Sequence, residues 1–352
     1  MSARTVGEVE RDAVTRGASA PLPATMRAWR VEALSEAGTM QRRDIPLPQA
    51  GAGSYLVRVE AAGLAFGDTL LVRGRYQIQP ALPFTPGSEI VGTIVGGEGP
   101  LRVGTRIASS CQQGGFADYA LAPQAAVWPI GDALAAGAAL ALRSNFPTSL
   151  YALRHAGRLQ PGETLLVHAG AGGVGSAAVS LGKRMGARVI ATAGGAAKLQ
   201  ACREAGADLA LDAGGDWLAA VRDQVPGGVD VVYDPVGGET GVQSLRCLAH
   251  GARYLVIGFA GGSLTTLPAN RLLLNNASAV GVLWGEVRRR DPQLAATLTR
   301  EVYDWHAEGR LALLPGRGWD FEQAPQALAA LAGRASVGKQ WLTLAHQGTL
   351  HE

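Results

Sequence analysis

The sequence predicts an α/β protein of two domains, the second built on a doubly wound parallel sheet, and three observations carry that prediction. The run Leu165-Leu166-Val167 has the length and apolarity of a strand. It passes through His168 and Ala169 into Gly170-Ala171-Gly172-Gly173-Val174-Gly175, and Ala177, Ala178, Leu181 and Met185 then follow at helical spacing. Behind it, short β-branched runs alternate with helical periods of about ten residues, as a parallel sheet covered on both faces requires. Finally, 352 residues exceed what one ordinary core holds.

In chain order, residues 26–31 and 55–61 are strand-like, separated by a loop containing Pro46, Pro48, Gly51 and Gly53. Residues 67–72 make one or two helical turns, followed by Gly74-Arg75-Tyr76 and a loop through Pro80, Pro83 and Pro86. Residues 90–95, 105–108 and 116–129 are strand-like again, and together these short strands predict a compact, partly open β-barrel. An Ala-rich helix over 134–143 and a second starting at Asn145 form the crossover. After the glycine turn, strands are expected at 188–193, 208–212, 229–236, 253–259 and 277–284, with helices at 197–205, 217–225 and 240–249. The charged segment 286–291 breaks the alternation, and helices over 294–308 and 324–331 lead to a final strand near 338–342. The expected organisation is a flexible tail at 1–25, a first domain at 26–144, a dinucleotide-binding domain at 145–287, and a return to the first domain at 288–346.

Composition excludes several classes. The net charge is only +3 and many of the arginines are scattered singly, so nucleic acid is not an expected partner. No apolar run approaches the length of about 18 residues that crosses a bilayer, and residues 1–23 lack the apolar centre of a secretory signal. Cys111, Cys202 and Cys247 lie far apart without paired spacing, which fits free thiols in a reducing compartment, and a cytoplasmic location is expected.

Gly170, Gly172 and Gly175 satisfy G-x-G-x-x-G between a strand and a helix, the arrangement that gives a tight turn, backbone access to a pyrophosphate and close helix-to-strand packing. The phosphates of a dinucleotide would sit on the helix N-terminus, where unpaired N–H groups and the positive dipole end favour an anion. About twenty residues on, where an NAD site usually holds an acid for the ribose 2′-hydroxyl, the chain reads Ile190-Ala191-Thr192-Ala193-Gly194-Gly195. With no carboxylate to repel it, a 2′-phosphate can enter, which favours NADPH over NADH.

Further motifs are Gly63 to Asp68, Gly74-Arg75-Tyr76, Pro83-Phe84-Thr85-Pro86-Gly87-Ser88-Glu89, Gly115-Phe116-Ala117-Asp118-Tyr119, Pro161-Gly162-Glu163 and Asp234-Pro235-Val236-Gly237-Gly238. In this order, with the glycine turn, they resemble the medium-chain dehydrogenase/reductase superfamily, and within it the zinc-free NADPH:quinone oxidoreductase, zeta-crystallin-like branch. The resemblance spans residues 26–342. It implies a GroES-like partly open barrel, a Rossmann domain, and an active site in the cleft between them. Where zinc relatives carry a cysteine and Gly-His-Glu, this chain has Ala65 or Phe66 and Gly87-Ser88-Glu89, with no cysteine cluster and dispersed histidines, so no metal is expected.

The resemblance also implies a set of site residues. Thr148 would lie beside the nicotinamide; Gly170, Ala171, Gly172, Gly173 and Val174 would hold the diphosphate; Gly194, Lys198 and Arg334 would receive the 2′-phosphate. Ile257, Gly258, Phe259, Ala260, Val282, Leu283 and Trp284 would border the carboxamide and diphosphate, with Gly258 giving the ligand room. Tyr76 is either a proton donor to the substrate or an aromatic wall of the cleft. Asp68 and Glu89 are expected to anchor loops through backbone hydrogen bonds rather than act as bases. Two features depart from the pattern: no tyrosine stands near Ala213, and no asparagine at Ala65. The activity implied is NADPH-dependent, metal-free hydride transfer to a small electrophile, a quinone or an α,β-unsaturated carbonyl compound. The alternatives are an enoyl-thioester reductase or a nucleotide-binding protein with little turnover. The apolar strand at 277–284 would be a sheet edge and predicts a homodimer formed by pairing with its two-fold mate.

Overall fold

A computed structural model describes residues 21–76, 79–111 and 113–345. The tail expected at the N-terminus lies largely outside the described residues. Six strands form one sheet with every neighbouring pair parallel. Across the sheet they run Leu209–Asp212, Arg188–Ala193, Thr164–Val167, Val229–Asp234, Leu248–Val256 and Ser278–Gly281. The chain therefore reverses direction across the sheet beside Thr164–Val167, and the glycine turn leaves the carboxyl end of that strand. A crevice at that place is where open α/β sheets bind ligands.

Both faces of the sheet are covered, which is why its strands read as near-continuous apolar runs. Leu165, Val167, Val189, Ala191, Val231 and Tyr233 pack into one core with helix Gly173–Arg184. Leu166, Ile190, Val232 and Tyr254 alternate to the other face, against Trp217, Leu218 and Val221 of helix Trp217–Gln224.

The first domain is a seven-stranded, mostly antiparallel sheet centred on Ser54–Leu64. Two of its strands come from the far end of the chain. Gln340–Thr343 pairs antiparallel with Ser54–Leu64, and Arg317–Asp320 pairs parallel with Gln340–Thr343. Leu342 is thereby buried in one core with Val57, Ala62 and Ile90. No helix among the described residues is long and apolar enough to cross a membrane.

Four elements differ from expectation. The loop expected between 31 and 55 contains a strand, Gln41–Pro46, paired with Thr25–Arg30; its residues are nearly all exposed, so no apolar alternation marks it. The run expected over 116–129 breaks into Tyr119–Pro123 and Val127–Pro129 around a 3-10 turn. The helix expected to reach Ala249 is Gly238–Ser244, and Leu248 already begins the next strand. Leu245, Leu248 and Ala249 keep helical spacing, but Leu248 pairs with Val229, which Gly228 permits by approaching the Leu248 and Ala249 backbone more closely than a side chain would allow. The last strand is Ser278–Gly281, and Trp284 starts helix Trp284–Arg290 instead of ending the strand.

His168, fully buried where the first parallel strand meets the turn, carries a pH dependence. Its Nδ1 lies 2.9 Å from the Thr192 hydroxyl and its Nε2 2.8 Å from that of Ser244. The Ser244 hydroxyl donates to the Thr240 carbonyl at 2.7 Å, so it accepts from a proton on Nε2, and Nδ1 accepts from Thr192. Burial holds the imidazole neutral, with its pKa pushed down to about 4. The unfolded chain takes up this proton first, so the associated stability is complete above the ordinary histidine range and is lost as pH falls toward 4. The loss amounts to about 3 kcal/mol. Urea unfolding between pH 7.5 and 4.5 should show it, and His168→Gln should flatten that part of the profile.

Candidate active site

The glycine turn is built by close approach. Ala169 stands in the left-handed region, at φ +49°. A Cβ on Gly170 would lie 2.8 Å from Ala191 Cβ and 3.0 Å from Cys202 Sγ, one on Gly173 would lie 2.1 Å from Asn145 Nδ2, and one on Gly175 would lie 2.1 Å from the Ala169 carbonyl oxygen. Gly170 and Gly175 thus hold the turn against the sheet and against itself. Gly172 meets only the Ala169 carbonyl, at 3.3 Å, and is the glycine whose open side a ligand can approach. Helix Gly173–Arg184 begins directly after it with no capping side chain, so no side chain closes its N-terminus to an anion. Ala171 is buried, and its carbonyl accepts from the Gly338 N–H at 2.8 Å, so the returning chain straps the turn. Ser149 donates to the Val174 carbonyl at 3.0 Å and fixes the helix that carries Thr148, whose hydroxyl donates to the Ser144 carbonyl at 2.7 Å.

At the other end of the crevice nothing lies within 4 Å of where a Gly194 side chain would stand. The next helix, Ala196–Glu204, starts there and carries Lys198. Lys198 donates to the Arg334 carbonyl, and Arg334, at φ +56°, donates to the Gly261 carbonyl at 2.9 Å. The fold thus gathers two cations from residues 136 apart in sequence. Partial burial, with the Arg334 charge beside it, holds the Lys198 pKa below its ordinary value, a cost that an anion placed between the two would relieve. Lys198→Glu should therefore lower the preference for NADPH over NADH by about tenfold to a hundredfold, read as the ratio of their dissociation constants by calorimetry.

Residues 257–261 form the wall that Arg334 reaches. Ile257 and Gly258 donate to Asp234, at 2.9 and 3.4 Å, and Ala260 donates to Pro235 at 2.9 Å. A side chain at Gly258 would make only ordinary contact, 3.4 Å from the Pro235 carbonyl, so the protein alone does not require glycine there. Phe259 lies beside Gly237. Val282 is buried and bonds to Val256 at 3.0 Å; Trp284 is buried against Tyr151; Leu283 between them is 66% exposed.

The first-domain wall holds a buried ionic centre that the sequence did not disclose. Lys339 forms an ion pair with Glu89, both side chains under a tenth exposed, and also donates to the Leu64 carbonyl at 3.2 Å. The Ser144 hydroxyl donates to Glu89 at 2.6 Å. Glu89 is therefore fixed by side chains, not by the backbone bonds expected of it. Asp68 does anchor its loop, accepting from the Ala65 N–H at 2.8 Å, and burial raises its pKa to about 7. Tyr76 is half-buried with its ring against Gly67, where an added Cβ would stand 3.2 Å away. Among the described residues no group of three or more His, Cys, Asp or Glu is placed to hold a metal ion.

Two families match these two halves. Residues 51–132 match the one described as alcohol dehydrogenase GroES-like domain, and residues 173–300 the one described as zinc-binding dehydrogenase. Quinone oxidoreductase-like protein 2 of Bos taurus is 35% identical over 294 residues, which cover 82% of this chain and 84% of the relative. The chain belongs to the medium-chain dehydrogenase/reductase superfamily, in its quinone oxidoreductase branch. Among solved structures, a mycobacterial protein complexed with NADPH has a TM-score of 0.85 and 30% identity, covering 91% of this chain and 100% of that one. The quinone oxidoreductase from Thermus thermophilus, solved alone and with NADPH, has a TM-score of 0.76 and 31% identity over the same shares. As in the superfamily, a GroES-like domain is joined to a Rossmann domain, and membership makes the chain an NAD(P)H-dependent oxidoreductase. The residues present fit NADPH: an uncapped helix behind an open glycine for the diphosphate, and the Lys198 and Arg334 cations for the 2′-phosphate.

Proposed function

We propose that this chain reduces quinones or α,β-unsaturated carbonyl compounds with NADPH and without a metal ion. The observation that carries this reading is the state of Glu89. It lies in the segment where zinc relatives have Gly-His-Glu, and its carboxylate is taken up by Lys339 and Ser144. A carboxylate so engaged is not free to serve a metal ion, which supports a metal-free reading with an acceptor that is electrophilic by itself, as conjugated carbonyl compounds are.

Bound NADPH supplies the hydride, from nicotinamide C4. The protein's part is to position and to exclude water. The glycine turn fixes the diphosphate, Lys198 and Arg334 select the phosphorylated ribose, and Thr148 with Val282 and Trp284 borders the nicotinamide. Tyr76 is proposed to cover the acceptor; its phenol can donate a hydrogen bond or a proton without being charged.

A steady-state screen of NADPH and NADH against quinones, enones and enoyl thioesters, read at the nicotinamide absorbance, tests the assignment. NADPH-dependent turnover of quinones or enones supports it; turnover confined to enoyl thioesters, or nucleotide binding with no turnover, contradicts it. We also propose a homodimer paired through Ser278–Gly281. That strand ends the sheet, and Leu264, Leu273, Leu274 and Leu283 are each more than 60% exposed in the single chain. Light scattering at micromolar concentration should give twice 36.4 kDa, and a monomer would remove the pairing.

A further inference from the structure

Helix Trp284–Arg290 follows directly on Val282 and Leu283, the segment proposed to border the nicotinamide. It carries two side-chain donors with nothing to donate to: Trp284 Nε1 and Arg288 Nε are both shut off from solvent and make no hydrogen bond. At positions i and i+4 they sit on one face of the helix, a turn apart. The arginines that follow behave differently, since Arg289 and Arg290 both bond to Glu286 on the exposed side.

Arg288 lies within electrostatic range of Glu89 and of Cys111, both in the first domain. Neither group neutralises it. Glu89 is bonded to Lys339 and Ser144. Cys111 stays a neutral thiol, its pKa pushed up to about 12 by burial. Arg143, itself buried, adds a second positive charge nearby, and burial together with Arg288 lowers its pKa to about 10. A half-buried cation whose Nε is shut off from solvent without a partner, next to another cation, is costly to maintain, and a negative oxygen brought beside it recovers that cost.

We propose that Arg288 is an oxyanion-binding residue of the cleft, donating from its guanidinium to the acceptor oxygen on which charge collects during reduction. The proposal rests on the reading of the cleft as a hydride-transfer site. A hydride carries two electrons to the conjugated acceptor and leaves an enolate or a hydroquinone monoanion. The nicotinamide is oxidised to NADP+, and a proton from Tyr76 or water completes the product. Arg288 holds the anionic oxygen between those two events and is not itself deprotonated. Donors placed where charge develops are worth about a hundredfold or more in rate.

The direct test needs no turnover. 4-Nitrophenol, whose phenolate is coloured, serves as a stand-in for the reduced acceptor and is titrated with pH on the full-length protein. Bound to the wild type it should ionise about one pH unit or more below its free value. That shift should be lost in Arg288→Gln and partly kept in Arg288→Lys, with NADPH affinity unchanged within about twofold in both and quinone kcat down about a hundredfold in Arg288→Gln. If Arg288→Gln keeps both the phenolate shift and kcat, or if wild type shows no shift, the assignment of Arg288 is overturned even though quinones are reduced. If the shift depends on Arg288 but no quinone or enone is turned over, the anion site stands and the proposed activity falls.

Discussion

Lys339→Met is expected to destabilise the protein by about 3–5 kcal/mol, the usual consequence of leaving a buried charge without its partner. Lys339 and Glu89 are both nearly inaccessible and join strands from opposite ends of the chain, Gln340–Thr343 and Glu89–Gly96. Removing the ammonium leaves the Glu89 carboxylate with the Ser144 hydroxyl alone. The double variant Lys339→Met/Glu89→Gln should recover most of the loss, because a buried pair costs desolvation that a neutral pair does not. Urea midpoints of the three proteins decide it. Equal destabilisation in the single and double variants would mean that Lys339 acts by packing and not by charge.

Gly175→Ala should damage both the fold and the cofactor site. The added methyl would stand 2.1 Å from the Ala169 carbonyl oxygen, a backbone atom that cannot rotate away. Overpacking typically costs about 1–3 kcal/mol, and contact with the backbone places this case at the upper end. The strain falls on the turn proposed to hold the diphosphate, so NADPH affinity should drop by about tenfold to a hundredfold. Gly194→Ala is the control: with nothing within 4 Å it should leave stability unchanged. A Gly175→Ala protein with wild-type melting and wild-type affinity would show that the turn is not held as described.

The parallel sheet was legible because burial on both faces writes it as plain apolar runs, and Leu165 to Val167 and Val231 to Tyr233 each supply side chains to two cores at once. The glycine motif was legible as a pattern, but its division of labour was not. Only the packing shows that Gly170 and Gly175 are filled from within and that Gly172 is the open one. The strand Gln41–Pro46 was invisible because an exposed hairpin strand needs no apolar alternation. Lys339 was invisible for another reason: its partner lies 250 residues earlier, and a lysine before a short strand carries no local mark of burial. The same holds for Lys198 and Arg334, which the resemblance proposed and only the fold brings into contact. Trp284 misled because apolar residues on both sides of a strand end look alike in sequence; it caps the core from the first turn of a helix.

Hydride transfer from NADPH to a quinone without a metal ion is open to a single-turnover experiment. The protein is loaded with one equivalent of NADPH, rapidly mixed with excess quinone, and the nicotinamide absorbance is followed through a single turnover. One full equivalent of NADPH should be lost, and prior treatment with a chelator should leave that loss unchanged. An unchanged absorbance with nucleotide still bound, or a signal abolished by the chelator, would contradict metal-free hydride transfer.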